Sequence, residues 1–382
     1  MPTRRHAGGW PLGLLGMLAV VVCVERAVDR RAARFVTVGA TDWADTGASV
    51  RRAAGSEILV LGDSQLKHGV VPAVLEHRLG RKSYNLAVSG STAPAHLFMF
   101  QRALRAGIRP AAVLVNGAFL DADPRTTLRA WPELLSPAEC VDLAWSMGDL
   151  DAFTTLAVSL ILPTVRTRPD ARAAVLDALA GNPPSAAAML PAFRRNWAVN
   201  RGATLLPPSE GPAKEVIPVA RDPVSKWACL GVNSRYVERL LALAEARKIP
   251  VFWLVPPLHP GHQENHDRLG HAARYTAFLR EIRTRHPGLT VIDGRHAAYP
   301  ARVMADEVHL TRPGAAVFSD AVAMILADHL AGRRAPGWVE IPRWRDGADR
   351  AVESAVVLED LRQTGEAFER YAARAEPGRV RR

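Results

Sequence analysis

The sequence predicts an α/β protein built on a parallel sheet. Short apolar runs alternate with helix-spaced segments between residues 57 and 116. The alternation returns between 236 and 330. Each apolar run stops at or near Gly, Asn or Pro, residues that end strands and start turns. Strands separated by helices pair in parallel, because the helix is the crossover.

The elements follow in order. Arg4 and Arg5 precede an uncharged run from Ala7 to Val24, 18 residues at the short end of a bilayer span. Basic residues ahead of it favour an N-in orientation, with the rest of the chain outside the cytoplasm. Residues 1–34 are therefore expected to be an uncleaved membrane anchor and its flank. A cleaved signal peptide is the competitor, and Glu25 and Arg26 interrupt its cleavage site. Residues 35–55 are small and polar and read as a linker.

Glu57–Gly62 reads as a buried strand, Val70–Leu79 as a helix stopped at Gly80, and Tyr84–Val88 as a second strand. Pro94–Ala106 is expected to be helical and Ala111–Asn116 a third strand. Later come a helix at Tyr236–Arg247, a strand at Ile249–Val255, a helix at Ala272–Thr284, a strand at Leu289–Ile292 and a helix at Pro313–Leu330. Between the halves, 121–231 breaks the alternation with helical pieces at Ala138–Leu150 and Asp170–Ala180. It reads as an insertion over the sheet edge that carries the active site. From Gly337 a Trp-containing turn leads to a charged helix at about Ala348–Ala375, within a C-terminal unit of 336–382. The body is expected at 56–335.

Composition narrows the class. The 382 residues are 48% hydrophobic and 23% charged, an ordinary globular balance. The formal charge of +11 invites a nucleic-acid reading, but only five of the 49 basic residues are Lys. From Arg333 to Arg382, 11 Arg are interleaved with nine acidic residues. A nucleic-acid binder needs a clustered basic face with aromatic interleaving, so none is expected here. Of the +11, the first 34 residues supply +4, which belongs to topology at a membrane surface. Cys140 and Cys229 can pair in an oxidising compartment or remain free thiols; both readings stay open. No C-x-x-C occurs, and no cofactor or metal is expected.

Four places carry chemistry. Leu61-Gly62-Asp63-Ser64 ends the first strand, where open α/β sheets place ligands. Asp306-Glu307-Val308-His309 precedes the last long helix. A serine hydroxyl needs a base, and a carboxylate on the other ring nitrogen fixes the base's tautomer. Asn85 through Thr92 follows the second strand, and Gly90 lets a backbone N–H approach a substrate oxygen closely. Asn116 ends the third strand and offers a side-chain amide. His259, His262 and His266 lie in a loop read as substrate-side and not as a metal set. His68 can line the pocket or be a solvated helix residue. Trp253 reads as core.

The order Ser64, Gly90, Asn116, then Asp306 and His309, resembles the SGNH (GDSL-type) hydrolase family. The resemblance covers about 57–120 and 232–330. It implies a flavodoxin-like three-layer α/β/α sandwich, Ser64 as nucleophile, His309 as base and Asp306 as its orienter. It also implies an oxyanion hole from the Ser64 and Gly90 amides and the Asn116 side chain. The family's third block usually reads G-x-N-D, whereas here Leu114-Val115-Asn116-Gly117 lacks both flanks. If Asn116 fails, the two amides or Ser91 serve. The expected function is an extracytoplasmic esterase, single-pass in the inner membrane and facing the periplasm, with an ester substrate. An O-acyltransferase acting on an envelope or secreted polysaccharide, with glycan-acetylation partner proteins, is the close alternative. A non-catalytic binding protein of the same fold is the third.

Overall fold

Six short strands carry the computed structural model, which describes residues 12–31, 38–117, 119–181, 185–208 and 227–367. They are β1 (Ile58–Leu61), β2 (Ser83–Asn85), β3 (Ala112–Val115), β4 (Val251–Val255), β5 (Thr290–Asp293) and β6 (Trp338–Glu340). They form one sheet in the order β2-β1-β3-β4-β5-β6, parallel at every pairing. The helices before the insertion are α1 (Leu12–Arg31), α2 (Val38–Ala48), α3 (Ser64–Gly69), α4 (Pro72–Leu79) and α5 (Ala93–Arg105). The insertion holds α6 (Trp131–Leu134), α7 (Pro137–Met147), α8 (Leu150–Ile161), α9 (Pro163–Leu179) and α10 (Ser185–Val199). After it come α11 (Gly231–Ala246), α12 (Pro260–Arg268), α13 (His271–Arg285), α14 (Arg312–Leu330) and α15 (Ala348–Ala355).

The period-two geometry of a strand splits the apolar runs between two cores. Leu59, Leu61, Val113, Val115, Val251, Trp253 and Val291 face one core with α5, α11 and α13. Ile58, Val60, Ala112, Leu114, Phe252, Leu254 and Ile292 face the other with α4 and α14. This is a three-layer α/β/α arrangement. Both faces are covered, which is why the strands read as continuous apolar runs. Full burial of each large side chain contributes roughly 1.5–3 kcal/mol. Trp253 is core, 2% exposed, and its indole N–H donates to the Tyr275 hydroxyl at 2.8 Å.

Several expectations are corrected. The linker expected at 35–55 is, from Val38, helix α2 and a following turn, with Trp43, Thr46, Ser49 and Val50 buried; residues 35–37 lie outside the described residues. Small residues made it read as a linker, but they are what lets α2 pack closely. The turn after Gly337 contains β6, an added edge strand. The long C-terminal helix stops at Ala355; a second helical piece follows at 361–367, and the remainder to 375 lies outside the described residues. The histidine loop after Pro257 is helix α12.

The insertion does not cap the sheet edge. It lies over the α2, α5 and α11 layer, where Arg102 Nε donates to Glu139 at 3.0 Å and Tyr236 to Asp142 at 2.7 Å. Among its described residues, the stretch after α10 reaches edge strand β2, through the bond from Asn85 N to Arg201 O at 3.0 Å. Cys140 and Cys229 are both free thiols, which settles the alternatives left open. Burial pushes each thiol up to about 12.

Among the described residues, no helix is long and apolar enough to cross a membrane. The run expected to span begins at Ala7, and residues 7–11 lie outside the described residues. In α1 every large apolar side chain from Leu14 to Val24 is exposed, by 43% or more.

Candidate active site

The carboxyl ends of β1 and β3 are where chain connections leave in opposite directions, the usual ligand crevice of an open parallel sheet. Ser64 follows β1 and Asn116 follows β3. Asp63 caps α3, its Oδ1 accepting from Gln65 N at 2.8 Å, so Ser64 is the first helical residue. Gly62 is required for packing: a Cβ there would lie 2.4 Å from Asn116 Oδ1 and 2.9 Å from Leu66.

Ser64 is 7% exposed, and its hydroxyl lies 2.8 Å from His309 Nε2. His309 Nδ1 lies 2.7 Å from Asp306 Oδ2. The other Asp306 oxygen accepts from the Val308 and His309 amides, both at 2.9 Å. Burial alone would raise the Asp306 carboxyl. The hydrogen bonds from the His309 ring and the two amides, with the charge of His309, bring it down to about 2. An ionised carboxylate on Nδ1 selects the tautomer with Nδ1–H, leaving Nε2 free to accept the serine proton. The structure thus joins Ser64, His309 and Asp306 across 245 residues of sequence.

Asn116 is 1% exposed and turned toward the Gly62–Ser64 turn. Its Oδ1 accepts from Asp63 N at 3.1 Å, and its Nδ2 donates to Asp63 Oδ1 at 2.9 Å. The second Nδ2 hydrogen has only Gln65 Oε1, at 3.5 Å. Asn116 therefore holds the Gly62–Asp63 turn first, and its second N–H makes only a long contact with Gln65 Oε1 that an oxyanion can replace. Gly90 sits in an exposed turn at φ +69°, which a side chain rarely adopts. The same segment lies on the Gly62–Ser64 turn: Val88 N donates to Gly62 O at 2.8 Å and the Ser91 hydroxyl to the same oxygen at 3.4 Å.

Residues that the sequence reading passed over hold these parts. Lys67, fully buried on α3, donates to Asp42 Oδ1 at 2.7 Å, to Thr46 Oγ1 at 2.9 Å and to Ala87 O at 2.9 Å. Burial pulls its pKa down, against the pull of Asp42. Asp42 Oδ2 accepts from Ser89 N at 2.9 Å, and Trp43 Nε1 donates to Ser89 O at 2.8 Å. Helix α2 thus grips both the helix that begins at Ser64 and the residue before Gly90. Nothing local in the sequence marks Lys67, since α3 reads Ser-Gln-Leu-Lys-His-Gly and a Lys there passes for an exposed helix residue. Asn85 closes α3, its Nδ2 donating to Leu66 O at 2.8 Å and Val70 O at 2.9 Å.

His68 is not a solvated helix residue. Its Nδ1 donates to Thr204 O at 2.7 Å, and its ring meets that of His309 edge-on at 5.1 Å. Burial, reinforced by the charge of His309, lowers it to about 4, so it stays neutral beside His309.

A cavity of about 360 Å³ opens beside this chain of hydrogen bonds. Gln65, Asn116, Val308, Trp227, Tyr275 and His266 are among the residues that line it. His262 and His266 stand 4.4 Å apart, and His271 stands 5.5 Å from His266. Burial first, then the charges of His262 and His271, lowers His266 to about 4; burial also lowers His262, helped by His259 and His271 against the pull of Glu307. His259 is on α12's N-terminal cap and not on the cavity wall. Among the described residues no group of His, Cys, Asp and Glu is placed to hold a metal ion. The arrangement can deprotonate Ser64 as it attacks an electrophilic carbon, with room beside it for a second reactant.

No family model, no curated protein and no solved structure matches the chain.

Proposed function

We propose that the chain is an SGNH-type serine hydrolase that cleaves esters through an acyl-enzyme at Ser64. The observation that carries this is the Ser64–His309–Asp306 chain, with heavy-atom separations of 2.8 and 2.7 Å. Ser64 Oγ attacks the ester carbonyl carbon as its proton passes to His309 Nε2. The imidazolium so formed is stabilised by Asp306. The tetrahedral oxyanion takes the Ser64 and Gly90 amides and the remaining Asn116 N–H. Its collapse expels the alcohol, which leaves with the His309 proton. In the second half His309 deprotonates water, which attacks the acyl carbon and regenerates Ser64.

A second reading replaces water by a hydroxyl of a glycan, making the protein an O-acyltransferase that works with glycan-acetylation partners. The cavity walled by Trp227, Tyr275 and His266 favours it, since aromatic faces and neutral imidazoles suit a polyhydroxylated acceptor. The α1 helix, apolar and exposed around its whole circumference from Leu14 to Val24, supports anchoring in the inner membrane with the body in the periplasm.

Fluorophosphonate labelling and p-nitrophenyl acetate turnover test the mechanism together. Wild type labels at Ser64 and turns over; Ser64→Ala does neither while keeping its fold by circular dichroism. Absence of an adduct in the folded wild type would leave a binding protein of this fold as the reading. Acetyl transfer to an oligosaccharide in preference to water separates transferase from esterase.

A further inference from the structure

We infer that helix α8 of the insertion lies in the headgroup region of the bilayer that holds α1, fixing the body against the membrane. This rests on the membrane-anchor reading of α1. Two different faces of α8 carry the argument. Ala152, Leu156 and Ser159 are buried against the protein. Leu150, Phe153, Val158 and Ile161 are 77%, 45%, 40% and 73% exposed. At about 100° per residue the exposed four fall within an arc of roughly 140°, opposite the buried three. An apolar stripe of this kind on a soluble surface marks an interaction site.

The occupant is assigned by what stands beside the stripe. Helix α1 packs along α9, directly after α8. Glu25, the first charged residue after α1's apolar stretch, accepts from Thr164 N at 2.9 Å and from the Thr164 hydroxyl. Thr164 is three residues beyond Ile161. The stripe therefore begins at the level where the apolar surface of α1 ends, the level of the lipid headgroups if α1 is inserted. Trp145, on the preceding helix, is 86% exposed, and Trp is favoured at that depth. Arg26 and Arg30 on α1 and Arg168 and Arg172 on α9, the two helices that pack together, are all exposed, which suits anionic lipid. An aqueous protein partner would not account for the meeting of the stripe with α1.

The test uses the full chain reconstituted into phosphatidylcholine–phosphatidylglycerol vesicles. Cysteines introduced singly as Phe153→Cys, Ile161→Cys or Glu281→Cys, in a Cys23→Ser background, carry an environment-sensitive fluorophore. Flotation reports the anchor; quenching by headgroup-region spin-labelled lipid reports α8. The expected result is flotation, with quenching at 153 and 161 at least about threefold greater than at 281. Flotation with equal quenching at all three positions overturns the inference and leaves the anchor standing. Failure to float overturns both. Labels at 153 and 161 that are shielded without quencher, with a doubled mass in detergent abolished by Ile161→Asp, assign the stripe to a second copy and overturn the inference.

Discussion

Replacing Asp42 by Asn removes the charge that faces Lys67 while keeping the side chain's size. The pair is 2.7 Å apart, with side chains 2% and 0% exposed, so water does not screen it. Breaking a buried pair by neutralising one member costs about 3–5 kcal/mol, because the other charge is left in a low-dielectric site. Thr46 Oγ1 and Ala87 O still accept from Lys67, which places the expected loss near the lower end, about 3 kcal/mol. The single Asn oxygen can serve Lys67 or Ser89 N, not both. Because Ser64 lies one turn before Lys67 and Gly90 follows Ser89, kcat should fall about ten- to a hundredfold with KM little changed. Lys67→Met strands Asp42 instead and should cost a similar amount. Combining Asp42→Asn with Lys67→Met removes both charges and should recover about 2–3 kcal/mol relative to the sum of the singles. Urea unfolding followed by fluorescence, with ester turnover measured alongside, reads all three variants. A single Asp42→Asn variant within about 1 kcal/mol of wild type, or a double variant showing no coupling, would refute the reasoning.

Three further outcomes follow from the same geometry. Asp306→Asn loses the charge that holds the His309 tautomer and should lower turnover about 10²–10⁴-fold, nearer the lower figure because the carboxylate is half exposed, with Ser64 labelling still detectable. In the wild type, Asp306 is held near 2, below the ordinary 3.8, so its stabilising contribution is complete above about pH 4 and is lost as pH falls through 2; acid titration of stability in wild type and Asp306→Asn should converge at the low end. Gly62→Ala puts a methyl 2.4 Å from Asn116 Oδ1, which should cost about 1–3 kcal/mol in urea unfolding and sharply slow fluorophosphonate labelling. With their thiols pushed up to about 12, Cys140 and Cys229 should react with a disulfide reagent at pH 8 far more slowly in the folded chain than in urea, as timed thiol titration would show.

Much of the fold was legible because parallel strands are buried on both faces. Ile58–Leu61, Ala112–Val115, Val251–Val255 and Thr290–Asp293 all fall within or beside apolar runs that the sequence displays openly. β6 was not legible, since an edge strand of three residues with partly exposed side chains carries no periodic signal. Helix α2 was missed for a different physical reason. Its sequence of small and polar residues looks soluble, and its burial depends on partners such as Lys67 and Ser89, 21 and 47 positions away.

The sequence by itself determined the residue types and their order: Ser64 at a strand end, Gly90, Asn116, and Asp306 with His309 on one turn. Local rules suffice there, because a short apolar run, its terminating Gly and an Asp–His pair three apart are all neighbours in the chain. Only the tertiary structure decided that His309 reaches Ser64, that Asn116 spends two of its hydrogen bonds on Asp63, and that Lys67, Asp42 and Trp43 lock helix α3 to the Gly90 turn. Those contacts join segments that one-dimensional patterning treats as independent. Their strength comes from burial, a property that a side chain acquires only once the sheet and its two helical layers have closed around it.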